Sequence, residues 1–126
     1  MNNRLLIIQN YIEGYNQFDI EKMIRDFEND IVFQNVQNGE ITLSLEGIEE
    51  FKQQAEQACT YFSERQQIIT SYHHQDKQTE IEIDYQATLA IDLPNGMKKG
   101  DQLRLKGKSI FEFSANDKII KLTDIS

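Results

Sequence analysis

Two stretches of strict alternation in the second half of the chain constrain the fold most. From Thr79 to Ile91, the residues Ile81, Ile83, Tyr85, Ala87, Leu89 and Ile91 fall on one side, and Glu80, Glu82, Asp84, Gln86 and Thr88 on the other. From Gln102 to Ser114 the pattern repeats with Leu103, Leu105, Gly107, Ser109, Phe111 and Phe113. Successive side chains of a strand point to opposite faces, so each stretch reads as a long strand with one apolar face. Pro94-Asn95-Gly96 supplies turn chemistry between them. Pairing Ile91 with Asp101 sets Leu89 against Leu103, Ala87 against Leu105, Tyr85 against Gly107, Ile83 against Ser109 and Ile81 against Phe111. The other face then pairs Asp84 with Lys108, Gln86 with Lys106 and Thr88 with Arg104, which is favourable. Glu80 opposite Glu112 is a mismatch and predicts a bulge near the strand ends. A sheet with one apolar face must be covered.

The cover comes from the first half. Leu5, Ile8, Tyr11/Ile12 and Tyr15 recur at helical spacing between about Asn3 and Asn16. Asp19 reads as the N-cap of a second helix with Ile20, Met23, Ile24 and Phe27 on its apolar face and Asn29-Asp30 as its stop. A strand over Ile31–Val36, the hairpin signal Asn38-Gly39 and a strand over Ile41–Leu45 follow. Glu46-Gly47 opens a third helix buried along Ile48, Phe51, Ala55, Ala58 and Phe62. Gln66 to Gln75 reads as a strand, with Ile68, Thr70 and Tyr72 on one face and Ile69 and Ser71 on the other. After Asn116-Asp117, a last strand runs Lys118–Asp124. The order is α-α-β-β-α-β-β-β-β. It predicts one α+β domain over residues 1–126, a curved antiparallel sheet wrapped over three helices as a cone with a cavity at its wide end.

Charge and cysteine usage exclude several functions. Lys and Arg number 13 against 21 Asp and Glu, a net charge of −8, which disfavours nucleic acid and anionic membranes as partners. The apolar run Leu5–Ile8 is too short for a signal peptide or a span, so a cytoplasmic protein is expected. Cys59 is the only cysteine and cannot form an intrachain disulfide. His73 and His74 are adjacent, so on a strand they point to opposite faces and cannot chelate together. No metal site and no cofactor are expected.

Asp124 is the candidate catalytic residue. It shares the phase of Ile120 and Leu122, while Lys121 and Thr123 point the other way. A carboxylate facing a core needs a partner, a pocket or a proton. Desolvation raises its pKa and suits it to general acid or base work; the structural alternative is an acid held by backbone or tyrosine donors. Tyr15, Tyr72 and Tyr85 are candidate pocket hydroxyls, Asn35 and Ser109 candidate polar contacts, and Phe33, Phe51, Phe62 and Phe111 candidate pocket walls.

Four segments carry a resemblance: Tyr15-Asn16-Gln17-Phe18-Asp19, Asn29-Asp30-Ile31-Val32-Phe33, Glu46-Gly47-Ile48-Glu49-Glu50-Phe51, and the closing Asp117-Lys118-Ile119-Ile120-Lys121-Leu122-Thr123-Asp124. In this order the chain resembles nuclear transport factor 2-like cones, within them the SnoaL-like polyketide cyclase and ketosteroid isomerase branch. The resemblance implies an acid/base at Asp124 and a homodimer through the sheet. The cyclases often carry His and Trp before that aspartate, where this chain has Leu122 and Thr123. The isomerases carry a first-strand Asp as base, and the nearest match here is Asn35, which disfavours steroid isomerisation by that route. The implied function is binding of an apolar small molecule, with proton transfer next to a carbonyl as in a cofactor-independent isomerase or cyclase. The rival is a non-catalytic binding or dimerisation module. An epoxide-hydrolase-like or dehydratase activity ranks last, since it needs Arg or His beside the pocket acid and Arg104 lies on the opposite face.

Overall fold

Three helices and six strands make up the computed structural model, which describes residues 2–126. In chain order they are α1 (Asn2–Asn16), α2 (Ile20–Ile24), β1 (Phe27–Gln37), β2 (Glu40–Glu46), α3 (Ile48–Cys59), β3 (Phe62–His74), β4 (Gln78–Leu89), β5 (Gln102–Phe113) and β6 (Ile119–Ile125). The strands form one sheet in the order β2-β1-β6-β5-β4-β3. The helices cover one face of the curved sheet, in the predicted element order. Neighbouring strands are antiparallel except β1 and β6, which run parallel. That pairing sets Asn35 beside Asp124.

Local signals explain the joints. Asn38 and Gly39 have φ of 53° and 81°, the two left-handed residues that a tight hairpin turn requires. Asp19 caps α2 through its carboxylate, which accepts from the Lys22 N–H at 3.1 Å. Gly14 lets α1 approach α2. A Cβ there would lie 2.9 Å from the Met23 nitrogen and 3.1 Å from the Asp19 oxygen. The core is aromatic and aliphatic: Ile8, Ile31, Ile81, Phe111, Ile119 and Leu122 are each at most 1% exposed. Each such side chain stabilises the fold by about 1.5–3 kcal/mol.

Several sequence expectations shift in register or extent. Leu89, rather than Ile91, stands opposite Asp101: its N–H donates to the Asp101 oxygen at 2.9 Å, and its own oxygen accepts from Gly100 at 2.9 Å. The β4–β5 register is therefore displaced by two residues, which preserves every face because the side-chain period is two. Tyr85 faces Leu105, Ile83 faces Gly107, and Thr79 faces Phe111. Glu80 meets Ile110 rather than Glu112, so the charge clash and the bulge expected from it both vanish. Asp84 meets Lys106, and the two pair at 3.1 Å.

The second helix is shorter than its apolar pattern. It ends at Ile24, because the next residues are drawn into the sheet: Ile119 N–H donates to the Asp26 oxygen at 2.7 Å, and Phe27 pairs with Ile119. Asn29-Asp30 then lies inside β1 rather than after a helix. Similarly, Phe62 opens β3 opposite Leu89 instead of closing α3. On β3 the inward residues are Arg65, Gln67 and Ile69; Ile68 is 40% exposed. A register shift between Ile69 and Ser71 then returns Tyr72 to the core side. A second shift, where β6 meets Glu112 and Phe113, buries Ile119 and turns Ile120 outward at 39% exposure. Ile120 thus does not share the inward face of Leu122 and Asp124, as strict alternation predicts.

Candidate functional site

The helices leave a cavity against the sheet, and Asp124 stands where its two lobes meet. The inner lobe, about 190 Å³, is enclosed by Tyr11 and Tyr15 of α1, Met23 of α2, Phe33 and Asn35 of β1, Leu43 of β2, four residues of α3 including Phe51, Arg65 of β3 and Asp124 of β6. The outer lobe, about 340 Å³, runs over the sheet past Phe62, Gln67, Tyr85, Gly107 and Ser109 to the end of β6. Tyr15, Asn35 and Asp124 line both lobes. A smaller cleft of about 120 Å³ lies on the outer face between Glu64, Gln86 and Arg104.

Asp124 reaches this position because β6 ends between β1 and β5. Its neighbours are Asn35 on one side and Ser109 on the other. The Ser109 hydroxyl donates to Asp124 Oδ1 at 2.7 Å. Oδ2 receives no hydrogen bond from the described residues. The residue as a whole is only partly buried, but its carboxyl faces inward. Burial pushes its pKa from 3.8 up to about 6, against the opposing pull of the Ser109 hydrogen bond. A carboxyl poised near neutral pH beside open space can hold or release a proton.

Three tyrosines extend the polar lining. Tyr11 is 4% exposed, packs edge-on against Phe111 with ring centroids 5.6 Å apart, and its hydroxyl has no partner among the described residues. Burial, and after it the Asp124 charge, raise its pKa, so the phenol stays protonated as a donor. Tyr15 donates to the Tyr85 hydroxyl at 3.0 Å, which leaves the Tyr85 proton free for another acceptor. Burial raises the pKa of both.

Arg65 is the member that sequence pattern missed. It is 5% exposed, and its Nε donates to the Tyr15 carbonyl oxygen at 2.8 Å. The guanidinium lies 3.7 Å from the Tyr15 ring centroid and 4.6 Å from that of Phe18. Residues 63–65 fall between the third helix, patterned through Phe62, and the third strand, patterned from Gln66, so the sequence assigns no face to Arg65. Its presence supplies the cation that Arg104 could not, since Arg104 stands on the opposite face of the sheet.

Of the residues singled out from sequence, Tyr15, Phe33, Asn35, Phe51, Phe62, Tyr85, Ser109 and Asp124 line one lobe or both. Phe111 lines neither. It is fully buried beneath Tyr11 and belongs to the closed core. Tyr85 borders the outer lobe opposite Leu105 rather than Gly107. His73 and His74 line neither lobe; His74 Nδ1 bonds the Thr79 hydroxyl at 2.9 Å, and the His73 side chain is 59% exposed. No cluster of three metal-ligating side chains occurs among the described residues, and none of their helices is long and apolar enough to cross a membrane.

This architecture, with an acid at the floor of a helix-covered curved sheet, defines the nuclear transport factor 2-like class of α+β cones. The sequence model of the SnoaL-like domain matches residues 8–122, and the chain belongs to that family. Among solved structures it is similar to a proposed polyketide cyclase from Xanthomonas campestris pv. campestris, with TM-score 0.82, 16% identity, and 99% of this chain and 90% of that chain covered. It is also similar to IdmH, a proposed polyketide cyclase from Streptomyces antibioticus (TM-score 0.79, 11% identity, 97% and 90% covered). A third is AclR, a proposed hydroxylase from Streptomyces galilaeus (TM-score 0.77, 16% identity, 98% and 88% covered). These likenesses establish a shared fold. No curated protein matches the chain.

Proposed function

We propose that this protein binds an apolar carbonyl compound and moves a proton at the carbon next to the carbonyl, as a cofactor-independent isomerase or cyclase does. The observation that carries the reading is the Asp124 carboxyl: one oxygen held by Ser109, the other unpartnered, its pKa pushed to about 6 at the junction of two cavity lobes. Its carboxylate takes the proton from the carbon. The Tyr11 phenol, unpartnered and protonated, donates to the carbonyl oxygen as negative charge develops there. The aromatic and aliphatic wall excludes water and strengthens both interactions. The description of two structural neighbours as cyclases is consistent with this chemistry.

The test uses β-tetralone, an apolar ketone with acidic C–H bonds, in deuterated buffer, with exchange followed by proton NMR. The wild-type protein accelerates exchange above the buffer rate. Asp124→Asn loses about 10²–10⁴-fold of that acceleration, the usual share of a positioned base. Equal exchange by both proteins overturns the role of Asp124. No acceleration by either supports the non-catalytic binding module instead.

The proposed setting is the cytoplasm, and the proposed assembly is a homodimer through the outer face of the sheet. Support for the dimer comes from the exposed Ile68 and the Asp84–Lys106 pair on that face. A monomer by sedimentation at micromolar concentration removes the assembly from the account, and secretion of the full-length protein by its own cell removes the setting.

A further inference from the structure

The cavity holds a buried cation that no anion pairs with among the described residues. Arg65 is 5% exposed, and no carboxylate lies within ion-pair distance of it among the described residues. A guanidinium carries five N–H donors. Two are used here: Nε to the Tyr15 oxygen at 2.8 Å and, weakly, Nη2 to Cys59 Sγ at 3.7 Å. The remaining donors have no acceptor among the described residues, and the side chain borders the inner lobe. Leaving a charge buried and unpaired is costly, so such groups ordinarily acquire a counter-ion.

The surroundings hold this cation in place rather than neutralise it. Tyr15 and Phe18 lie over the guanidinium at 3.7 Å and 4.6 Å. Phe18 does so from a left-handed backbone, φ 58°, where a bulky residue is rarely found. Its own N–H shares the Tyr15 oxygen with Arg65. Asp124 lines the same lobe, yet Ser109, not Arg65, is its hydrogen-bonding partner. The charge of Arg65 acts on Tyr11, Tyr15 and Tyr85, lowering each pKa against the effect of burial. The field of the cation thus reaches the hydroxyls of both lobes while its donors remain open.

We infer that Arg65 is the receptor for a carboxylate carried by the ligand, so that the ligand is an apolar oxo acid rather than a neutral ketone. A planar carboxylate matches the fork of the guanidinium better than any neutral acceptor. The anion is accepted despite the net charge of −8, because the inner lobe presents a desolvated cation. The oxo group rests on the proton-transfer reading above. The carboxylate does not, and the two fail separately.

The experiment compares phenylacetate and phenylpropanoate with their amides, by heteronuclear NMR and calorimetry at neutral pH. The wild-type protein binds each acid at least about tenfold more tightly than its amide, the low end of what a hydrogen bond to a charged group provides. The Arg65 Nη–H resonances move with the acids and not with the amides. Arg65→Met and Arg65→Gln reduce the preference to within about twofold, while Arg65→Lys retains part of it. Asp124→Asn keeps the preference while losing the exchange of β-tetralone. Equal binding of acid and amide overturns the inference. So do Arg65 Nη–H resonances that neither acid moves at millimolar concentration, a readout that requires no variant to fold. Persistence of the preference in Arg65→Met also overturns it.

Discussion

Replacing Asp124 with Asn should stabilise the protein at neutral pH, and the gain should disappear in acid. The folded state raises the Asp124 pKa from 3.8 to about 6. At 1.36 kcal/mol for each pKa unit, that rise makes the ionised carboxylate cost the folded state about 3 kcal/mol. The sign follows from proton binding. Below 3.8 the carboxyl is protonated whether folded or unfolded and contributes nothing. Between 3.8 and about 6 the folded state binds the proton more tightly, so stability falls as pH rises. Above about 6 the full cost is present. Asn has the shape of the neutral acid, and its carbonyl can still accept from Ser109. Urea unfolding of both proteins across the range from about pH 4 to about pH 8 measures the difference directly. Asp124→Asn should be more stable by up to about 3 kcal/mol at the upper end and roughly equal at the lower end. A difference that does not change with pH, or a variant less stable at neutral pH, refutes the claim that the carboxyl is desolvated.

Ser109→Ala removes the 2.7 Å hydrogen bond that favours the charged carboxylate. A bond to a charged group is worth about 1.5–3 kcal/mol, so the Asp124 pKa should climb by about one unit or more, as read from its carboxyl resonance. Tyr85→Phe leaves the buried Tyr15 hydroxyl without its acceptor and should cost about 1–3 kcal/mol in urea unfolding. Tyr15→Phe should cost less through this hydrogen bond, since the Tyr85 hydroxyl can turn to the outer lobe. Gly14→Ala should destabilise despite the better helix propensity of Ala. The backbone of α2 stands 2.9 Å from the new Cβ, and relieving that overlap costs about 1–3 kcal/mol against a propensity gain of about 1 kcal/mol.

The fold was legible because alternation and helical spacing are strong in this chain. Faces survived even where registers did not. A two-residue slip between β4 and β5 leaves Leu103, Leu105 and Ser109 on the side that the alternation places them. What the sequence could not show were the irregularities. The shift beside Phe113 exchanges Ile119 for Ile120 in the core, and a one-residue change in a strand leaves no mark in composition. The end of α2 was hidden for another reason. Phe27 suits a helix face locally, but pairing with Ile119 decides its conformation, and that partner is far along the chain.

The site divides along the same line. Asp124 was visible because its phase is short and regular from Leu122 onward. Tyr15 and Ser109 follow from sharing inward faces, and Asn35 from its match to the first-strand position of the isomerases. Tyr11 was visible only as a core residue of the first helix, because periodicity reports burial and cannot show a hydroxyl left unpaired at a cavity wall. Arg65 was invisible. It sits at the start of β3, just past the helical pattern that runs through Phe62, and an arginine in an unassigned segment reads as surface. Its burial depends on Tyr15 and Phe18, residues brought over it by the turn between α1 and α2.

The central claim is that Asp124 carries a desolvated carboxyl, set apart from the other acids of the chain by the cavity at its side. Titrating its carboxyl carbon by NMR in the ligand-free protein tests this most directly, with Asp124→Asn assigning the resonance. The expected midpoint is near 6. A midpoint near the ordinary value of 3.8 contradicts it.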